Sequence, residues 1–102
     1  MAINEIHVND IGTVFKLTVK DGTSVVDLSS NTGLTVIFKK PSNAKLEQTA
    51  VLTNTGTDGL IEYTIAEGDL DESGTWQIQA KVQISDGTFY SDIHTFKVHR
   101  NL

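Results

Sequence analysis

From residue 75 to residue 85 the chain alternates without a break: Trp76, Ile78, Ala80, Val82 and Ile84 are apolar, and Gln77, Gln79, Lys81, Gln83 and Ser85 are polar. Successive side chains of a strand point to opposite faces of its sheet, so a period of two gives one apolar and one polar face; a helix would smear both sets around its axis. The segment reads as a central strand whose apolar face packs into a core and whose polar face meets solvent or a partner. Residues 14–20 repeat the pattern, with Phe15, Leu17 and Val19 opposed by Lys16, Thr18 and Lys20. So do residues 34–40, with Leu34, Val36 and Phe38 opposed by Thr35, Ile37 and Lys39. Residues 46–54 and 60–65 are rich in β-branched or aromatic side chains and read as strands, with Ala50 and Leu52 an inward pair in the first. Residues 3–8 form an edge strand, and residues 25–28 are either a short strand or an extended edge piece.

The last strand, residues 88–98, changes phase. Phe89 and Ile93 share one parity, while Tyr90, Phe96 and Val98 share the other. One extra residue re-aims every side chain after it, so a β-bulge between Ile93 and Phe96 is preferred to a shorter strand that starts near Ile93. Asp21-Gly22, Asp58-Gly59 and Asp86-Gly87 supply glycine where a tight reversal needs positive φ. Asp86-Gly87 lies directly between the most regular strand and the last one, which predicts a hairpin. Pro41-Ser42-Asn43 is a further reversal, Thr32-Gly33 another break, and the acidic connection 66–74 has room for one short helical turn.

Strands recurring about every ten residues, with no helical pattern between them, fit a sandwich of two packed sheets rather than an α/β fold. About seven mostly antiparallel strands are expected, with the core carried by Phe15, Leu17, Val36, Phe38, Trp76, Ile78, Ala80, Val82, Ile84 and Phe96. A chain of 102 residues makes one domain, 1–102, able to bury roughly two-thirds of its unfolded surface. With seven strands reversing at each step, the first and last run the same way and the termini lie at opposite ends of the sandwich.

Composition narrows the function classes. The chain has no cysteine, so packing must do what an inter-sheet disulfide does elsewhere, and thiol catalysis and thiolate metal sites are excluded. The net charge is −5 and the eight cations are scattered, Lys39-Lys40 being the only adjacent pair. Nucleic acid requires a clustered basic footprint, and anionic lipid attracts one, so neither is an expected partner. No run of about 20 apolar residues could span a bilayer. The first ten residues lack the basic stretch and apolar run of a signal peptide, so a role outside a cell implies delivery within an assembly or a longer chain.

Motifs of nucleotide-binding loops, zinc proteases and serine hydrolases are absent, and neither enzyme activity nor a cofactor is expected. His94 and His99 fall on opposite faces of a regular strand, with His7 far away in sequence, which does not build a shared metal site. Asp69-Leu70-Asp71-Glu72-Ser73-Gly74 approximates the opening of an EF-hand loop, making Asp69, Asp71 and Glu72 candidates for weak calcium binding. Its fifth position is Ser and no Glu closes the twelfth, so the plainer reading is an acidic, solvated loop. Exposed Thr and Gln, and the polar loops 29–32 and 55–58, offer surfaces to a protein or a cell-surface glycan.

The stretch Asp71-Glu72-Ser73-Gly74-Thr75-Trp76-Gln77-Ile78 resembles the acidic, glycine-containing and aromatic lead into the sixth strand of immunoglobulin-like domains. Trp76 stands where a Tyr is commoner, so the corner hydrogen bond of that Tyr is missing or replaced. More widely, the chain resembles the immunoglobulin-like N-terminal domain of phage baseplate upper proteins. The likeness runs through residues 10–20, Val26-Asp27-Leu28, Leu34-Thr35-Val36-Ile37-Phe38-Lys39-Lys40-Pro41, Asp58-Gly59-Leu60-Ile61-Glu62-Tyr63, residues 70–76, Ala80-Lys81-Val82 and Asp86-Gly87. It implies an all-β, immunoglobulin-like β-sandwich and a non-enzymatic structural module of a virion tail. Its implied partners are other phage tail or baseplate proteins, with support of host adsorption as a further role. The alternative is an adhesin module at a cell surface, contacting a glycan. The resemblance transfers no catalytic or binding residue.

Overall fold

A computed structural model describes residues 6–85 and 87–101, and over these the period-two segments become strands. In chain order they are β1 (Ile6–His7), β2 (Val14–Thr18), β3 (Lys20–Asp21), β4 (Ser24–Val25), β5 (Gly33–Lys39), β6 (Lys45–Thr49), β7 (Val51–Leu52), β8 (Leu60–Thr64), β9 (Gly74–Ile84), β10 (Gly87–Tyr90) and β11 (His94–His99). The larger sheet runs β1-β11-β9-β5-β6, with β10 on β9 beyond β11. The smaller sheet runs β2-β8-β7, and β3-β4 forms a separate hairpin. Among the described residues every pairing is antiparallel except β1 with β11.

The sheets meet through aromatic rings. Phe15 on β2 and Tyr63 on β8 reach Phe38 on β5 at centroid separations of 5.8 and 6.0 Å, and Phe15 reaches Phe96 on β11 at 4.8 Å. The result is an all-β domain, five strand positions against three, in a curled, sandwich-like arrangement.

Three segments read as single strands are divided, each for a visible reason: residues 46–54, residues 14–20, and residues 88–98, the last into β10 and β11. Residues 46–54 switch sheets: β6 lies in the larger and β7 in the smaller, with buried Ala50 between them donating its N–H to the Leu34 carbonyl. Residues 14–20 divide at Val19, which is fully buried and exchanges backbone hydrogen bonds with Gly59 and Val26 instead of continuing the β2 ladder. The reversal at Pro41-Ser42-Asn43 closes with Asn43 N–H on the Lys40 carbonyl and Lys40 N–H on the Ala44 carbonyl. Residues 66–73 make turns without a helix. Ile3 to Glu5 of the expected edge strand, and Asp86 of the expected hairpin, lie outside the described residues. The hairpin is nonetheless defined by Gly87 pairing with Ile84.

Leu17, Val36, Phe38, Trp76, Ile78, Ala80 and Val82 are buried in the core, while Phe15, Ile84 and Phe96 are half-buried and packed against it. Leu34, Ile61 and Val98 join them from the strands, Val19 and Ala50 from the breaks between strands, and Leu28, Ile65 and Leu70 from the connections. Each fully buried large apolar side chain contributes roughly 1.5–3 kcal/mol relative to exposure, so these connecting residues weigh as much as those on strands.

The expected last strand divides: β10 ends at Tyr90 and β11 starts at His94, close to the alternative of a shorter strand beginning near Ile93, and the phase change is a bulge at 91–93 rather than between Ile93 and Phe96. Tyr90 pairs with Lys81 and His94 with Ile78, so three residues, 91–93, stand opposite two. Buried Ser91 holds the irregularity. Its N–H donates to the Ala80 carbonyl (3.0 Å), its Oγ accepts the Ala80 N–H (2.8 Å), and its carbonyl accepts the Gln79 side-chain amide (2.9 Å). Because the extra residue precedes Ile93 rather than following it, Ile93 points outward and is 57% exposed. Phe89, opposite Val82, and Phe96, opposite Trp76, both face inward.

The chain ends also differ from expectation. β1 and β11 are parallel as foreseen, but Ile6 pairs with Val98 and His7 with His99, at the very end of β11. The Asn101 side chain donates to the Val8 carbonyl at 2.6 Å. The described ends therefore lie side by side, because the short first strand joins the last one at its exit rather than along its length.

Candidate interaction face

The polar alternates of β9 run down the outer face of the larger sheet. Residues directly opposite in a ladder share a face, so the register gives its rows. Lys45, Lys39, Gln77 and Thr95 form one row, Glu47, Ile37 and Gln79 the next, and Thr49, Thr35, Lys81 and Tyr90 a third. Half-buried Ile37 lies centrally, and Ile93 and Tyr90 stand up beside it, 57% and 53% exposed. Together with Lys39, Lys45, Gln77 and Gln79 they line an open groove of about 340 Å³. An isolated exposed apolar side chain is ordinary, but three gathered around one groove make this face a candidate contact surface.

Charge is segregated in the same place. Lys39, Lys45, Lys81 and Lys97 occupy outer-face positions, with Glu47 the carboxylate in these rows and Asp92 at the bulge beside them. The four lysines and Glu47 give this set a charge of +3; the other four cations and twelve carboxylates of the chain sum to −8. Sequence reading treats the cations as scattered, because residues 39, 45, 81 and 97 converge only through the strand order.

The three carboxylates considered for calcium are turned apart. Asp69 is 5% exposed and accepts from Tyr63 Oη (2.5 Å), Ala66 N–H (2.8 Å) and Gln48 Nε2 (2.9 Å). Asp71 pairs with Lys40 Nζ at 2.9 Å, and Glu72 accepts from the Ser42 hydroxyl and N–H. They serve three separate contacts: Asp69 fastens the turn before β9 to β8 and β6, and the other two fasten it to the β5-β6 reversal. Among the described residues no group of three or more His, Asp or Glu is placed to hold a metal ion. His94 stands exposed opposite Ile78, while the His7 and His99 rings meet at 5.4 Å at the far end of β11.

Burial, reinforced by the bond to Asp69, pushes the Tyr63 hydroxyl up to about 12. The Trp76 indole N–H donates to the Glu72 carbonyl at 3.1 Å. Lys40 lies 6.0 Å from the centroid of the same ring.

The polar loops 29–32 and 55–58 are occupied with their own geometry. Asp27 accepts from the Ser29 N–H and hydroxyl, and Asn31 donates to the Leu28 carbonyl. Asn54 donates to Asp58, whose other oxygen accepts the Leu60 N–H. These bonds hold the Asp27 and Asp58 carboxyls below the usual carboxylate range, led by the Ser29 N–H for Asp27 and by Asn54 for Asp58. The sheet face, whose side chains are less engaged with one another, is the stronger candidate for a contact.

No family model matches the chain, and no curated protein matches it either.

Proposed function

We propose that this chain is a non-enzymatic joining module with an immunoglobulin-like fold, of the kind that links structural proteins in a phage tail or baseplate. The observation that carries the reading is the outer face of β5, β6 and β9, where Ile37, Tyr90 and Ile93 stand among amides and lysines. An apolar centre within a polar rim is the anatomy of a protein contact.

The fold half of the proposal draws on strand order. An immunoglobulin sandwich opposes strands B, E and D to C, F and G, with C′ beside C in the variable type. The order β2-β8-β7 is similar to B-E-D, and β6-β5-β9 followed by β10 and β11 is similar to C′-C-F-G, which supports the reading. The Trp76 bond to Glu72, at the entry to the F-like strand, supports the same reading. The tail half rests on the sequence resemblance to baseplate upper proteins, and implies a place in the virion.

Mass spectrometry of purified tailed particles made by a host that expresses this chain tests the assignment. The chain is expected in the particles in fixed stoichiometry with a tail protein. Its absence from particles, with abundant protein left in the cell, overturns the tail assignment.

A further inference from the structure

We propose that the outer face of the larger sheet is a docking site for an acidic surface of a different protein, with Tyr90 and Ile93 as its apolar anchors. The inference rests on the reading of the chain as a joining module and names the chemistry of the partner.

Charge decides among the occupants. A second copy brought face to face would set Lys39, Lys45, Lys81 and Lys97 against the same four side chains, and like charges in apposition oppose pairing. A carboxylate-rich partner meets the set of +3 with opposite charge while the rest of this chain, at −8, repels it, so approach is steered to one face. The centre of the face then supplies what charge alone does not. Ile37 and Ile93 offer an apolar floor and wall, and Tyr90 is a rigid amphipathic side chain of the type that anchors protein contacts. Gln77 and Gln79 flank the groove with side chains that pair with backbone or side-chain polar groups at no cost in charge. The bulge at 91–93 assembles the site: in an unbroken ladder continuing from Tyr90 opposite Lys81, Ile93 would fall opposite Ile78 and face inward.

Amide-shift mapping on the ¹⁵N-labelled chain at low salt tests the proposal with three probes: a random glutamate–tyrosine copolymer, polyglutamate, and polygalacturonate as a carboxylated glycan. The copolymer is expected to bind most tightly, moving amides of β5, β9 and residues 90–93, and to be released by high salt. The Lys39→Glu, Lys45→Glu double variant should weaken it about tenfold. Tyr90→Ala and Ile93→Ala should each weaken it severalfold, with melting temperatures unchanged because both side chains are more than half exposed. Shifts centred on another surface, indifference to the Tyr90 and Ile93 variants, or no saturable binding overturn the proposal. Tighter binding of polygalacturonate than of the copolymer reassigns the face to acidic carbohydrate. Sedimentation showing salt-sensitive self-association through this face reassigns it to a second copy. These outcomes are read on the isolated chain, so they stand apart from whether it is found in tail particles.

Discussion

The Tyr63 hydroxyl donates to Asp69 at 2.5 Å across the turn that joins β8 to the approach to β9. Asp69 also accepts from Ala66 and Gln48, so one buried carboxyl serves three donors. Removing the hydroxyl in Tyr63→Phe takes away one bond and should cost about 1–2 kcal/mol. Asp69→Ala leaves all three donors without their acceptor in a site 5% exposed, and should cost about 3 kcal/mol or more. Urea unfolding measures both. Equal losses would show that Asp69 does little beyond holding the tyrosine.

The same contact sets an alkaline limit. Tyr63 is held at about 12 in the fold against an ordinary 10.0, so the folded state keeps its proton more tightly than the unfolded chain does. The associated stability is fully present below pH 10.0 and is lost as pH rises through about 12. In a Tyr90→Phe variant Tyr63 is the only tyrosine left, so tyrosinate absorbance reports it alone. It should appear near pH 12, and Asp69→Asn should bring it down. A transition at the ordinary tyrosine value while the protein remains folded would contradict the geometry.

Trp76 is fully buried, with Phe38 and Phe96 at centroid distances of 6.3 and 5.9 Å. Trp76→Ala should cost about 3–5 kcal/mol, a large part of a small domain's stability of about 5–15 kcal/mol. Trp76→Phe retains a ring but loses the bond to the Glu72 carbonyl and some volume, so it should fall well short of the alanine loss. Chemical denaturation separates the two. A loss of about 0.5 kcal/mol for the alanine variant is what a surface side chain gives, and would be inconsistent with burial.

Gly56 has φ of +93°, and a Cβ there would lie 2.8 Å from the Ser29 nitrogen and 2.9 Å from the Leu28 carbonyl carbon. Its own carbonyl accepts the Leu28 N–H, tying the two loops together. Gly68 has a comparable φ of +85° with nothing within 4 Å of the same position. Alanine at Gly68 should therefore show the backbone cost alone, about 1–2 kcal/mol. At Gly56 the clash with main-chain atoms adds to it, and thermal unfolding should place Gly56→Ala clearly below Gly68→Ala. Equal melting temperatures would mean that the two loops part freely.

How far the fold was legible depended on whether burial followed a local period. β9 was readable to within a residue because Trp76, Ile78, Ala80 and Val82 are all buried through one regular ladder. Leu28, Ile65 and Leu70 are equally buried but sit in connections, where no repeat announces which way a side chain turns. The switch of sheet at Ala50 was hidden because a strand that changes partner keeps its composition. The candidate face was less accessible still. Its polar stripe was visible on β9, but the gathering of four lysines required the order of β5, β6, β9 and β11, and the outward turn of Ile93 required the bulge in its true place.

That bulge gives the sharpest test of the link between fold and face. Ser91 Oγ accepts the Ala80 N–H at 2.8 Å and donates to the Asp92 carbonyl at 2.9 Å, so Ser91→Ala strips a buried backbone donor of its partner. An unpaired buried group costs about 1–3 kcal/mol. Hydrogen exchange should show the loss locally, as faster exchange at Ala80 with the ladder from Val36 to Phe38 still protected. Deleting Asp92 is a different perturbation. It removes the extra residue and leaves two residues opposite two, so a regular ladder keeps Tyr90 opposite Lys81 and His94 opposite Ile78. Phe96 and Val98 therefore stay opposite Trp76 and Gly74, packed as before, and the deletion variant should still fold and unfold cooperatively in urea. A deletion variant that fails to fold would show that the core needs the bulge itself and not only the ladders on either side of it.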